Sequence, residues 1–112
     1  MMRILQILAA ALILVHAGAH AAGDIDAGKA KSASCAACHG ADGNSPSGAF
    51  PTIAGQYQDY PMRAMQDYQT GKRKNPIMTS MAAPLTDQDR ADLAAYYSSQ
   101  KSSLYTPRYA DE

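Results

Sequence analysis

The chain has 112 residues, with ten basic and ten acidic side chains and a formal net charge of zero at neutral pH. This length allows one domain and leaves no room for a second independent core. The balanced charge, without a long basic run, argues against nucleic acid as a partner. Because a domain of this size builds only a small core, disulfides, a metal or another inserted group often complete it.

Residues 1–21 have the pattern of a secretory signal peptide. Arg3 precedes an apolar run over residues 4–15, and an Ala-x-Ala sequence follows at positions 19–21. This pattern is typical of a cleaved signal, and the apolar run is shorter than a bilayer-spanning helix requires. We therefore predict cleavage after Ala21, export to the periplasm, and no stable membrane insertion of the mature chain.

The first half of the mature chain is predicted to contain helices and a long loop, with no convincing strand. Acidic residues open the segment 24–34, which favours a short helix leading up to Cys35. The segment 40–55 is rich in Gly, Pro, Asn and Ser and is typical of a loop. Aromatic residues at helical spacing predict a helix within 56–70, and Pro61 implies that this helix begins near residue 60 or bends there.

The second half is predicted to hold an irregular connection and one well-marked helix. One glycine and two prolines indicate irregular backbone over residues 71–85. A threonine cap at Thr86, an acidic first turn and an apolar stripe predict a helix that ends at Lys101. Residues 102–112 are predicted to be a loose polar tail. The folded domain is therefore expected to span residues 22–101 and to be all-α.

The segment CAACHG holds the only two cysteines, Cys35 and Cys38, directly before His39. A thioredoxin-like dithiol needs alternating strands and helices, and this sequence does not predict them. A zinc site needs four ligands, and only these three remain because cleavage of the signal peptide would remove both other histidines. A disulfide across so small a loop would contribute little stability. Two thiols at this spacing can form thioethers to one porphyrin, with the adjacent histidine on the iron. A covalently attached haem c therefore accounts for all three residues.

The sixth position on such an iron would be open to a gas or peroxide, or closed by a methionine, since no second histidine remains. Met62 and Met65 lie three residues apart in a predicted helix and fit core packing. Met78 and Met81 lie in the predicted irregular connection, whose backbone could direct a thioether across the haem. The spacing of residues does not separate these last two.

Four stretches, in order, carry a resemblance that covers nearly the whole mature chain: CAACHGADGNSP, FPTIAGQY, KNPIMTSMAAPLTDQD and DLAAYYSSQ. Together they resemble class I bacterial cytochromes c of the short soluble kind and are similar to one half of the diheme c-four proteins. The resemblance implies the class I cytochrome c fold, in which a few short helices wrap around one covalently attached haem. It also implies that Gly28 lies at a close crossing with the Tyr96 and Tyr97 region.

The resemblance further implies a role for each of six residues. The thioethers would form at Cys35 and Cys38, and His39 would be the proximal ligand of the iron. The distal ligand would be Met78, with Met81 as the alternative. The backbone carbonyl of Pro51 would accept a hydrogen bond from the histidine.

The function that the resemblance implies is one-electron transfer through haem iron that cycles between Fe(II) and Fe(III), in a carrier that is not itself an enzyme. Its partners would be redox proteins, a donor and an acceptor, that dock transiently. The alternative is an electron-transfer subunit of a larger dehydrogenase or terminal oxidase complex. Diheme c-four proteins continue into a second haem domain, whereas this sequence ends after its polar tail, so we expect one haem.

Overall fold

The computed structural model describes residues 22–105, and within that range the protein consists of five helices without a strand. They are α1 (Ile25–Lys31), α2 (Ala33–His39), α3 (Asp59–Gln69), α4 (Pro76–Ala82) and α5 (Asp87–Ser99). The predicted all-α class is confirmed. The predicted signal peptide and the end of the predicted tail lie outside the described residues. Across the described range, no helix is long and apolar enough to cross a membrane.

Helices α1 and α5 pack against each other almost backbone to backbone, and Gly28 makes this possible. A Cβ built on Gly28 would collide with the carbonyl oxygen of Asp92 and would lie 2.7 Å from the Cβ of Tyr96. Gly23, just before α1, meets the Ala91 carbonyl in the same way. The expected close crossing at Gly28 is therefore present. It joins the first and last helices and holds the ends of the domain together.

Replacing Gly28 with alanine is expected to destabilise the fold by about 3 kcal/mol, because the added methyl group must displace a backbone carbonyl. This cost exceeds the gain of about 1 kcal/mol that alanine brings to a helix interior. Denaturant unfolding of both proteins measures the difference. Gly48→Ala is the matched control, since a Cβ there would meet nothing within 4 Å. Equal stability of Gly28→Ala and the natural protein would contradict this packing.

A buried carboxylate on α5 fastens the start of α1. The side chain of Asp92 is 3% exposed, and it accepts hydrogen bonds from the Asp24 backbone N–H at 2.9 Å, from Lys31 Nζ at 2.6 Å and from Gln88 Nε2 at 2.7 Å. Lys31 also pairs with Asp89 at 2.8 Å. The Asp24 N–H and Lys31 hold the pKa of Asp92 at about 2, and Lys31 and the Thr86 backbone hold the pKa of Asp89 at about 2.

The unfolding free energy is expected to fall with acidification as Asp89 and Asp92 become protonated. Both pKa values lie below the ordinary value of 3.8, so their contribution is complete above that pH and is lost as the pH falls toward about 2. Urea unfolding measured between about pH 5 and about pH 2 tests this. The slope should be shallower in Asp92→Asn and unchanged in Asp26→Asn, an exposed control on α1. Identical slopes in all three proteins would contradict the assignment.

Helix α5 has the cap that its sequence predicts. The Thr86 hydroxyl accepts the Asp89 backbone N–H at 3.1 Å, and the Asp89 carboxylate accepts the Thr86 N–H at 2.9 Å. The helix ends at Ser99, two residues before the predicted Lys101. Helix α3 begins at Asp59, which places Pro61 in its first turn, where a missing N–H costs no helical hydrogen bond. The predicted start near residue 60 is confirmed.

The prediction of irregular backbone over residues 71–85 is wrong in its second half, which contains helix α4. The Asn75 side chain caps this helix by accepting the Met78 N–H at 3.0 Å, and Pro76 occupies the first helical position. Proline at that position is favourable, because its fixed φ suits the helix and its missing N–H has no partner there anyway. Helix α4 carries Met78 and Met81 on a regular element, with the side chains three residues apart.

Candidate functional site

A cavity of about 500 Å³ lies beside the core cluster formed by Leu93, Tyr96 and Tyr97. Its walls are mainly apolar and come from helices α2 to α5 and from the loop before α3. The lining residues that carry chemistry are Cys35, Cys38, His39, Tyr60, Met65, Tyr68, Arg73, Met78, Met81 and Tyr97. Within residues 22–105, a cluster of three large buried apolar side chains is a small core, and the cavity is where an inserted group would complete it.

Helix α2 presents three of the predicted site residues to this cavity. Cys35 lies three residues before Cys38 and four before His39, which places all three on one face of the helix. Both cysteines are free and partly buried. Burial raises the pKa of the Cys35 thiol. The helix ends at His39, and Gly40 follows it with a φ of 84°, where a side chain would strike the Asn44 carbonyl.

His39 is held in one orientation by the loop that follows it. The imidazole is buried, and its Nδ1 lies 2.8 Å from the carbonyl oxygen of Pro51. A carbonyl can only accept a hydrogen bond, so Nδ1 carries a proton, and in the neutral imidazole the lone pair then lies on Nε2. A neutral imidazole fixed in this way is suited to bind a metal through Nε2. Pro51 therefore makes the contact that the resemblance implies.

Three of the four methionines in residues 22–105 line the cavity, and Met62 does not. Met65 packs against the Leu93, Tyr96 and Tyr97 cluster, as expected of a core residue. Met78 and Met81 approach from α4, and both are partly buried. Histidine and methionine thus reach the same cavity from two helices that are separate in sequence.

A hydrogen-bond network that the sequence did not reveal fastens helix α4. Gln69, the last residue of α3, donates from Nε2 to the Ala82 carbonyl at 2.8 Å and to the Leu85 carbonyl at 2.7 Å. Its Oε1 accepts from Arg90 Nη1 at 2.6 Å, and Arg90 Nη2 pairs with Asp87 at 2.7 Å. The C-terminal end of α4 is therefore hydrogen-bonded to α3 and, through Arg90, linked to α5.

One cation of the Lys-Arg-Lys run at 72–74 lines the cavity. Arg73 Nη1 donates to the Tyr60 hydroxyl at 3.2 Å, and its guanidinium lies 5.2 Å from the centroid of the Tyr68 ring. The Tyr60 hydrogen bond raises the pKa of Arg73. Two aromatic side chains thus position a permanent positive charge at the edge of the cavity, which suits an anionic substituent of a bound group.

The residues present fit a covalently attached haem. The cavity is mainly apolar, the two thiols share one helix face, an imidazole with a free Nε2 adjoins them, and thioethers approach from another helix. Within residues 22–105, no group of three or more His, Cys, Asp or Glu side chains is arranged to hold a metal ion. Fold and site together define a c-type haem protein. A model of the cytochrome c family matches residues 25–101.

The chain therefore belongs to the cytochrome c family, and with Cys35 and Cys38 at the family's spacing it carries one covalently attached haem c. A cytochrome c4 of Pseudomonas aeruginosa is 56% identical over 86 residues, which is 77% of this chain and 43% of that protein. The cytochrome c-554(548) of Halomonas halodenitrificans is 45% identical over 83 residues, which is 71% of this chain and 100% of that protein.

The fold agrees with these relatives. The crystal structure of reduced recombinant cytochrome c4 from Pseudomonas stutzeri matches with a TM-score of 0.70 and 49% identity, over 74% of this chain and 48% of that one. The class I cytochrome c fold, and the likeness to one c4 domain, are thereby confirmed. The chain spans about half the length of the cytochrome c4 relatives that it matches.

Proposed function

We propose that this protein is a periplasmic electron carrier whose haem iron is bound axially by His39 and Met78. The observation that carries the proposal is the placement of a metal-competent imidazole on α2 and of methionines on α4 around one cavity. When bound, the haem supplies a one-electron couple between Fe(II) and Fe(III). The chain supplies two strong axial ligands, which would close the iron to substrates and leave only electron transfer.

The role of the Pro51 carbonyl in this proposal is to fix the His39 ring and make it a better donor. A hydrogen bond to the outer nitrogen of a ligating imidazole sets its tautomer and raises its basicity. Because the loop holds this carbonyl 2.8 Å from Nδ1, the ring need not rotate when the iron changes oxidation state. A ligand that moves little keeps the structural cost of electron transfer small.

Met78 is the proposed distal ligand on the resemblance to class I cytochromes c, and its position is firmly held. Asn75 fixes the start of α4 through the Met78 N–H, and Gln69 fixes the end. A thioether sulfur favours the reduced iron and raises the reduction potential. Met81 lies on the same helix and lines the same cavity, so it is the alternative ligand.

Electrons would enter and leave through a small transient contact with a donor and an acceptor, as weak redox encounters do. Tyr60 and Ile77 line the cavity and are 51% and 55% exposed, so they would contribute apolar surface to that contact. The signal-peptide pattern of residues 1–21 supports the periplasm as the compartment.

Carbon monoxide binding tests whether the sixth coordination position of the iron is occupied, as proposed. The reduced holoprotein is expected to bind carbon monoxide slowly or not at all without denaturant, because Met78 occupies the sixth position. Stopped-flow absorbance after mixing with carbon monoxide measures this, and the denatured protein, which has lost the methionine ligand, is the positive control. Fast binding to the native protein would favour a gas-binding or peroxide-using haem and would contradict an electron carrier.

A further inference from the structure

The hydroxyl of Tyr97 is a buried polar group that lacks a partner. Tyr97 is 3% exposed and lines the cavity, and within residues 22–105 its oxygen makes no hydrogen bond. The adjacent Tyr96 differs, since its hydroxyl donates to the Ala41 carbonyl at 2.8 Å. An unpaired buried hydroxyl costs about 1–3 kcal/mol, so a partner is expected to complete it.

Neighbouring groups restrict the position of the Tyr97 ring. Its centroid lies 5.0 Å from that of Tyr96, and the loop packs so closely that a Cβ on Gly43 would lie 2.7 Å from its Cδ1. The Tyr97 carbonyl accepts the Gly55 N–H at 2.9 Å and the Gln100 N–H at 3.2 Å. The first candidates for the partner are therefore the groups that already lie beside the hydroxyl.

Two groups lie beside it, the Cys35 thiol and the Ser32 hydroxyl. Ser32 donates to the Lys29 carbonyl at 2.8 Å and keeps lone pairs that can accept a hydrogen bond. Cys35 is the neighbour that packs directly against the cluster of Leu93, Tyr96 and Tyr97. A free thiol carries its own proton, whereas a thioether sulfur has none and can only accept. Burial raises the pKa of Tyr97 to about 12, so its hydroxyl keeps the proton that it would donate.

We propose that the Tyr97 hydroxyl donates a hydrogen bond to the sulfur of Cys35 once that sulfur is a thioether, and so positions the thioether and raises the reduction potential of the haem. The hydroxyl proton places the positive end of a dipole at the haem edge, which favours the electron-rich reduced state. In a buried site this effect is stronger than in water. Tyr97 is a positioning residue in this proposal, because it acts through Cys35.

The proposal rests on the covalent haem and, for the potential alone, on the proposed electron transfer. It does not depend on whether Met78 or Met81 binds the iron. Spectroscopic tests of the hydrogen bond therefore keep their meaning if the protein proves not to be an electron carrier.

Resonance Raman spectra of the holoprotein in H₂O and D₂O test the hydrogen bond through the C–S stretching band of the thioether. The band is expected to shift in D₂O in the natural protein and in Tyr96→Phe, the matched control. In Tyr97→Phe the shift should be lost and the reduction potential should move to a lower value. A shift that persists in Tyr97→Phe, at an unchanged potential, would overturn the proposal.

A measurement on the natural protein keeps the proposal testable if Tyr97→Phe does not fold. In proton NMR spectra of the reduced holoprotein, the Tyr97 hydroxyl proton should exchange slowly and show a nuclear Overhauser effect to the β-protons of Cys35. A hydroxyl proton that exchanges freely, or one whose contacts point to Ser32 and not to Cys35, would overturn it.

Discussion

Replacing Cys35 and Cys38 together with serine is expected to abolish covalent haem binding and, with it, the stable fold. Within residues 22–105, the haem cavity of about 500 Å³ adjoins a core cluster of three side chains. Applying the cost of an empty buried cavity, about 24 cal/mol per Å³, gives at most on the order of 10 kcal/mol. That is comparable with the total stability of about 5–15 kcal/mol of an ordinary domain. We therefore expect the bound haem to supply a large part of the core of this domain.

Haem staining after denaturing electrophoresis and circular dichroism of the purified variant measure attachment and folding. The two single serine variants are the controls, because each retains one thiol that can still form a thioether. They should retain part of the haem and unfold at lower denaturant concentration than the natural protein. A double variant that unfolds as cooperatively as the natural protein, without haem, would show that the helices do not depend on the cofactor.

Replacing Met78 with alanine is expected to remove the low-spin spectrum and to lower the reduction potential, because the thioether that favours Fe(II) is lost. The sixth position then becomes accessible, so the reduced variant should bind carbon monoxide quickly. The fold should largely survive, since Met78 is only partly buried and its backbone contacts to Asn75 remain. Absorption spectra of both oxidation states and an electrochemical titration measure these changes.

Two other methionine variants make this result interpretable. Met81→Ala changes the neighbouring thioether of the same helix, and Met62→Ala changes one that lies outside the cavity. Both should keep the low-spin spectrum. If Met78→Ala is unchanged while Met81→Ala loses the spectrum, then Met81 is the ligand. Loss of the spectrum in all three variants would instead indicate a general loss of structure.

The parts of the fold that sequence reasoning predicted correctly depend on local chemistry. Thr86 and Asp89 cap α5 through contacts three residues apart, and Pro61 marks the start of α3 because of where a missing N–H is tolerated. The same local reasoning was wrong for α4. The prolines of residues 71–85 predict irregular backbone, although Pro76, which follows a capping asparagine, begins a helix. A proline can either interrupt a helix or begin one, and the capping residue Asn75 indicates that Pro76 begins a helix.

The residues of the site also fall into two groups, those that local sequence predicts and those that depend on tertiary contacts. Cys35, Cys38 and His39 lie within five residues of sequence, so their shared helix face and their chemistry could be predicted together. Gln69 and Tyr97 could not, because each matters only through partners that the tertiary structure brings close. The structure removes Met62 from the lining of the cavity, which spacing alone had not done. Met78 and Met81 lie three residues apart on one helix and line the same cavity. Which of them binds the iron must be determined on the holoprotein.

The most direct test of the account is an optical redox titration of the purified natural holoprotein. We expect one haem per chain, a single one-electron transition, and low-spin spectra in both oxidation states, with the near-infrared band of a methionine–iron bond in the oxidised form. These results would follow from His39 and a methionine of α4 remaining bound throughout the cycle. A high-spin spectrum in either state, or a ligand change on reduction, would contradict a carrier whose two axial ligands close the iron.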